Sequence, residues 1–180
     1  YQRSRGLGDV YKRQPANYRP VALTSHIIKV FEKVVRSKLV DFLERNGHMN
    51  ENQHGFRSGR SCLTQLLKHH DQILSLMEQH QNVDVVYLDF SKAFDKVDHN
   101  IVLAKAHNMG VQGKLLDWIR EFFTNRKQAV VVNGSISSHR PVISGVPQGS
   151  VIDPLIFLIL ISDIDHSTLH SLIAVSYTHL

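Results

Sequence analysis

The 180-residue chain has one cysteine, Cys62, which excludes an internal disulfide and a cysteine-built zinc site and fits a reducing compartment. It has no long hydrophobic run either. The longest, residues 155–161, falls far short of the ~20 apolar residues that a membrane-spanning helix needs. Its 12 histidines show no metal-ligand spacing. His69 and His70 are neighbours, and adjacent residues point to different sides of a helix. Internal repeats and low-complexity tracts are absent, which argues against a solenoid or a disordered linker. What is present is ordinary for a water-soluble globular chain: 42% hydrophobic and 21% charged residues.

The net charge of +5 comes from 21 Lys+Arg against 16 Asp+Glu. A basic balance is the usual footprint of nucleic-acid binding, but this one is unevenly spread. Residues 1–14 contain Arg3, Arg5, Lys12 and Arg13 against Asp9, which leaves only 17 basic against 15 acidic residues elsewhere. Those first residues resemble translated sequencing adapter. Asp9-Val10-Tyr11-Lys12-Arg13-Gln14 translates the transposase end used in tagmentation libraries, and Val175-Ser176-Tyr177-Thr178-His179-Leu180 translates its reverse complement. The expected organisation is therefore two adapter-derived tails, 1–14 and 175–180, flanking one domain at 15–174. Such a domain is long enough to bury a real core.

Within 15–174, Thr24 or Ser25 can cap a helix reaching about Asn46, with Ile27, Ile28, Phe31, Val34, Val35, Leu39, Phe42 and Leu43 at helical spacing and Gly47 as the stop. A second helix is predicted over 62–79. Residues 83–88 read as a strand, Asp98 as the cap of a helix to about Met109, and 114–123 as a fourth helix. Asn133-Gly134 after a β-branched run is a strong hairpin signal and predicts strands at 128–132 and 135–143. A last helix is predicted over 150–161, with Pro154 tolerable only in its first turn. The order is α+β.

Three stretches carry candidate chemistry. Val85-Val86-Tyr87-Leu88-Asp89-Phe90 delivers a carboxylate at the end of a strand-like run, and hard cations need carboxylate oxygens. In Ser144-Gly145-Val146-Pro147-Gln148-Gly149-Ser150, glycines on both sides of Pro-Gln permit close backbone approach to a ligand. Gly55-Phe56-Arg57-Ser58-Gly59-Arg60 presents two guanidinium groups, whose paired hydrogen bonds suit phosphate oxygens.

Together with Asn17-Tyr18-Arg19-Pro20, these stretches resemble, in order and spacing, the motifs of reverse transcriptases of the non-LTR (LINE-type, jockey-like) retrotransposons. The resemblance implies the fingers and partial palm of a right-hand polymerase. It implies RNA-directed DNA polymerase activity on an RNA template, a DNA primer and dNTPs, with two Mg²⁺ ions, no membrane and an intracellular location. Asp89 would be the first metal ligand and the backbone carbonyl of Phe90 the second. Phe94 would be the steric gate against a ribose 2′-hydroxyl, and Gln148 and Gly149 would lie against the incoming nucleotide. Arg57 and Arg60 would meet the triphosphate; Arg57, Arg19, Gly145 and Pro147 would contact nucleic acid. Asp98 is more simply an N-cap, and the resemblance requires neither Asp95 nor Asp98 as a metal ligand. Two departures stand out: Asp153 replaces a family glycine, and the aromatic-Ala-Asp-Asp block and the thumb are missing. A group II intron or other bacterial reverse transcriptase, and a non-catalytic nucleic-acid-binding relic, stay open as alternatives.

Overall fold

A computed structural model describes residues 22, 24–87, 89–132 and 134–164. Both adapter-like tails and Arg19 lie outside the described residues. Helix α1, His26–Arg45, begins where the sequence predicts. The Ser25 side chain accepts the Ile28 N–H at 3.3 Å, satisfying one of the amides that a helix start leaves unpaired. In α2, Cys62–Glu78, Ser61 and Thr64 form a reciprocal capping box. Asp98 caps α3, His99–Asn108, by accepting from the Asn100 and Ile101 amides, so its carboxylate has a structural use. Helix α4 is Gly113–Phe123.

The core forms around α5, Asp153–Ile161, whose sequence DPLIFLILI is apolar on all sides beyond its first residues. A helix of that kind must be covered all round. Leu155, Ile156, Phe157, Leu158 and Ile159 are all buried. Helix α3 packs against both α4 and α5. Val102 and Ala106 from α3, Ile119 and Phe123 from α4, and Leu39 and Leu43 from α1 join the same cluster. Each buried Val, Leu, Ile or Phe side chain of this cluster is worth about 1.5–3 kcal/mol.

The apolar stripes of α1 and α2 are only partly used. Ile27, Phe31 and Val34, and Leu63, Leu67, Leu74 and Met77, stay exposed.

The hairpin forms in pieces. Strand β2, Val131–Val132, pairs with β3, Ser135–Ile136; β1, Lys127–Gln128, pairs with β4, Arg140–Pro141. The two ladders are offset by one residue. Two residues separate β1 from β2 but three separate β3 from β4, which is a bulge on the return strand. There the Ser137 hydroxyl accepts the Val130 N–H at 2.9 Å, replacing a ladder bond. The predicted continuous strands, 128–132 and 135–143, are broken by this extra residue.

The strand predicted at 83–88 is a correction. Residues 83–87 are in no ladder, and Val85, Val86 and Tyr87 are exposed. Strand propensity measures fit to a paired, half-buried surface. No described segment offers 83–87 that surface, so the β-branched run stays unpaired. The last helix also starts later than predicted, at Asp153 rather than Ser150, because Pro154 must lie in the first turn.

Candidate functional site

Two segments about fifty residues apart in sequence are held backbone to backbone. The first is the turn after Asp89, where the amides of Asp95 and Lys96 both donate to the Lys92 carbonyl. The second is the 144–149 loop. The Gly145 N–H donates to the Val97 carbonyl at 2.8 Å and the Val146 N–H to the Phe94 carbonyl at 2.9 Å. The Ser144 hydroxyl donates to the Asp95 carbonyl at 3.1 Å. The approach is close enough to require glycine: a Cβ on Gly145 would sit 2.7 Å from the Asp95 carbonyl oxygen, and its φ of +82° is one that L residues rarely adopt. Above this seam the Gln148 side-chain amide donates to Asp95 Oδ1 at 2.5 Å.

The loop is braced on its other sides. The Gly145 carbonyl lies 2.8 Å from His99 Nε2 and accepts from Arg126 at 3.2 Å. His99 itself stacks on Phe123, with ring centroids 4.4 Å apart. At the far end, the fully buried Glu32 of α1 accepts from the Ser150 hydroxyl at 2.7 Å and from the Val151 N–H at 2.6 Å. Asp153 Oδ2 accepts the Ser150 N–H at 3.2 Å. One oxygen of each acid, Glu32 Oε1 and Asp153 Oδ1, is buried without a partner among the described residues. Burial pushes the Asp153 carboxyl up to about 7. The hydrogen bonds from Ser150 oppose that rise, the nearby Glu32 carboxylate adds to it, and Arg126 offsets part of it.

Other candidates fall in different places. Asp89 and Phe90 are exposed, and Asp89 makes no hydrogen bond or ion pair among the described residues. Phe90 lines a shallow, mostly apolar groove of about 310 Å³ with Lys96, Phe157 and Leu160. Phe94 is half-buried. Its ring stacks on Phe157 at 4.8 Å and meets the edge of Phe56 at 6.4 Å, so it joins the core to the 55–60 loop. Gly149 is exposed, with φ +100°, and Pro147 is half-buried.

The two arginines are already occupied. Arg57, with an 8% exposed side chain, donates to Glu44 at 3.3 Å and to the Asn50 carbonyl at 2.7 Å. Arg60 pairs with Glu51 at 2.5 Å and donates to its carbonyl at 2.6 Å. This pairing holds the Glu51 carboxyl below its ordinary range. Both arginines nevertheless border one open pocket of about 440 Å³, together with Arg36, Phe56 and Ser58. The structure thus brings Phe94, Gly145 and Gln148 together and keeps Arg57 and Arg60 around a separate pocket, with Phe56 reaching between them.

Sequence reasoning missed Glu32, Arg36, His99 and Arg126. The single signal for Glu32 was an acid among the apolar positions of α1, and a lone acid on a helix is usually solvated.

A family profile described as Reverse transcriptase (RNA-dependent DNA polymerase) matches residues 10–178. The chain belongs to this reverse transcriptase family. It is 34% identical over 152 residues to the probable RNA-directed DNA polymerase from transposon X-element of Drosophila melanogaster, covering 84% of this chain and 17% of that protein. It is 28% identical over 153 residues to the corresponding protein from transposon BS of the same species, covering 85% and 17%. It is 30% identical over 147 residues to the RNA-directed DNA polymerase from mobile element jockey of Drosophila funebris, covering 82% and 16%. These relatives are non-LTR retrotransposon proteins, and the chain spans about a sixth of their length.

Reverse transcriptases use a divalent metal ion, so the fit of the residues present matters. Asp89 offers an exposed carboxylate, and the adjacent Phe90 carbonyl is a second hard oxygen. A two-ion site needs carboxylates on both flanks. Among the described residues no three His, Cys, Asp or Glu side chains converge as a metal cage. Asp95, six residues on, is committed to Gln148. The described residues fit one flank of such a site, not a complete one. No helix among them is long and apolar enough to cross a membrane.

Proposed function

We propose that this chain is the fingers and partial palm of a retrotransposon RNA-directed DNA polymerase. In that reading Asp89 and the Phe90 carbonyl hold one side of a Mg²⁺ pair. Phe94 acts as the floor that excludes a ribose 2′-hydroxyl, and Gln148 and Gly149 face the incoming dNTP. Arg57 and Arg60 border the triphosphate side, and Arg19, Arg57, Gly145 and Pro147 contact the RNA template or DNA primer. The parent protein works inside the cell, and in nucleus and cytoplasm if its retrotransposon is eukaryotic. The observation that carries the reading is the seam between the turn at 92–97 and the 144–149 loop. Two sequence-distant motifs that should share one site are in backbone contact there.

The same reading makes the 180-residue chain incompetent alone. Nucleotidyl transfer by two metal ions needs a second carboxylate block, and the sequence has no aromatic-Ala-Asp-Asp string. Primer extension on an RNA template with Mg²⁺ and dNTPs tests this directly. The chain alone should give no product. A parent polymerase that includes the second block should extend the primer, and Asp89→Ala in it should abolish extension. Template-dependent product from the chain alone would refute this account of where the carboxylates come from. Residues 1–14 and 175–180 are read as adapter-derived because of their codon matches; genomic sequence continuous through either junction would overturn that reading.

A further inference from the structure

We propose that Asp95 is a positioning residue for Gln148, its carboxylate fixing which end of the Gln148 amide faces the site. The inference rests on the reading of the 144–149 loop as nucleotide-facing. A primary amide has two ends of similar shape and opposite hydrogen-bonding character. A glutamine without a fixed partner can turn either end outward. An ionised carboxylate only accepts, so the 2.5 Å contact to Asp95 Oδ1 must be made by the Gln148 NH₂. The carbonyl oxygen Oε1 and the second N–H are thereby left in defined directions. The main chain of Gln148 is held too, since its carbonyl accepts the Ala22 N–H at 2.8 Å.

The carboxylate is itself anchored. The Asp95 amide donates to Lys92, and its carbonyl takes the Ser144 hydroxyl. The flanking carbonyls of Phe94 and Val97 take the Val146 and Gly145 amides. These bonds set the distance between the two backbones, and the side-chain pair reads that distance out as one amide orientation. For a polymerase the consequence is specificity. The ligand meets a fixed acceptor and a fixed donor, not a group that adapts to either polarity.

The test uses the ¹⁵N-labelled 180-residue chain. The Gln148 side-chain NH₂ signals are assigned by their loss in Gln148→Ala. In the wild type, the proton facing Asp95 should exchange with water about tenfold more slowly than its geminal partner, the ratio expected for a charge-assisted hydrogen bond. Asp95→Ala, which has no side-chain acceptor, should remove that asymmetry while the backbone amides of Gly145 and Val146 keep their protection. The double variant Asp95→Asn, Gln148→Glu should restore one protected NH₂ proton, now on residue 95, because donor and acceptor have exchanged sides. If Asp95→Ala leaves the Gln148 signals unchanged, Asp95 holds only the turn and the proposal fails. If the backbone amides lose protection with the side-chain signal, Asp95 supports the fold and not the amide, which also overturns it. The nucleotide-facing reading is tested separately in a parent polymerase that includes the second carboxylate block. Should Gln148→Ala there leave KM for dNTP and kcat unchanged, that reading is refuted, whereas the amide orientation is judged by the first measurements alone.

Discussion

Replacing Asp153 by asparagine should flatten the stability of this chain against pH, and the size of the effect follows from the site. Asp153 begins α5, where the positive end of the helix dipole favours a carboxylate. It is only 4% exposed, with Glu32 beside it, and burial outweighs the dipole. Its carboxyl titrates near 7 in the folded chain against an ordinary 3.8. A raised folded pKa means that the folded state holds the proton more tightly than the unfolded state. Stability is then greatest below about pH 4 and falls as the pH rises through the window between 3.8 and about 7. At ~1.4 kcal/mol per pK unit, the full window corresponds to about 4 kcal/mol, and the part between pH 5 and 8 to about 3 kcal/mol. Asparagine has nearly the same shape, keeps an oxygen acceptor for the Ser150 N–H and cannot ionise. Urea unfolding at pH 5, 6, 7 and 8 is the assay. Wild type should lose about 3 kcal/mol relative to Asp153→Asn across that range, the variant being the more stable at pH 8. Glu32, Arg126 and the other titrating groups are common to both chains, so the difference between the curves reports residue 153 together with its coupling to Glu32 and Arg126. Parallel curves would show that Asp153 is hydrated or paired in solution and that its burial has been misjudged.

Two further outcomes concern the same loop. Gly145→Ala must place a methyl group against the Asp95 backbone at a φ of +82°, so it should cost about 3 kcal/mol or more; a loss under about 1 kcal/mol by urea unfolding would mean that the two backbones separate easily. Glu32→Ala strands the Ser150 hydroxyl and the Val151 N–H and should cost about 2–4 kcal/mol. By removing a neighbouring negative charge, it should also lower the Asp153 pKa in a ¹³C carboxyl titration, and an unmoved titration would show that the two acids do not sense each other.

The helices were legible because their signals are local. Ser25, Ser61 and Asp98 stand directly before apolar-periodic runs, and a cap acts within three residues. The hairpin was legible from Asn133-Gly134, but its bulge was not, since a ladder offset depends on both strands and the sequence shows each separately. Residues 83–88 were misread for a related reason. Val85, Val86 and Tyr87 favour strand on propensity alone, but a strand is a property of a pair, and no described segment pairs with 83–87.

The site divides along the same line. Motif spacing pointed to Asp89, Phe94 and Gln148, because a residue type at a set distance from its neighbours can be seen in one dimension. It could not point to the groups that hold the loop in place. Glu32 lies 118 residues before Ser150, and Asp95 lies 53 before Gln148. Each looks like an ordinary solvated acid in sequence, and only folding turns it into an acceptor aimed at a loop. Arg57 and Arg60 show the converse. Their composition suits phosphate, yet Glu44 and Glu51 already engage them. A phosphate must therefore compete with carboxylates for these guanidinium groups. That competition favours a ligand of higher charge than one carboxylate, which a triphosphate is and a single backbone phosphodiester is not, so of the two roles proposed for Arg57 it favours the triphosphate over the template or primer backbone.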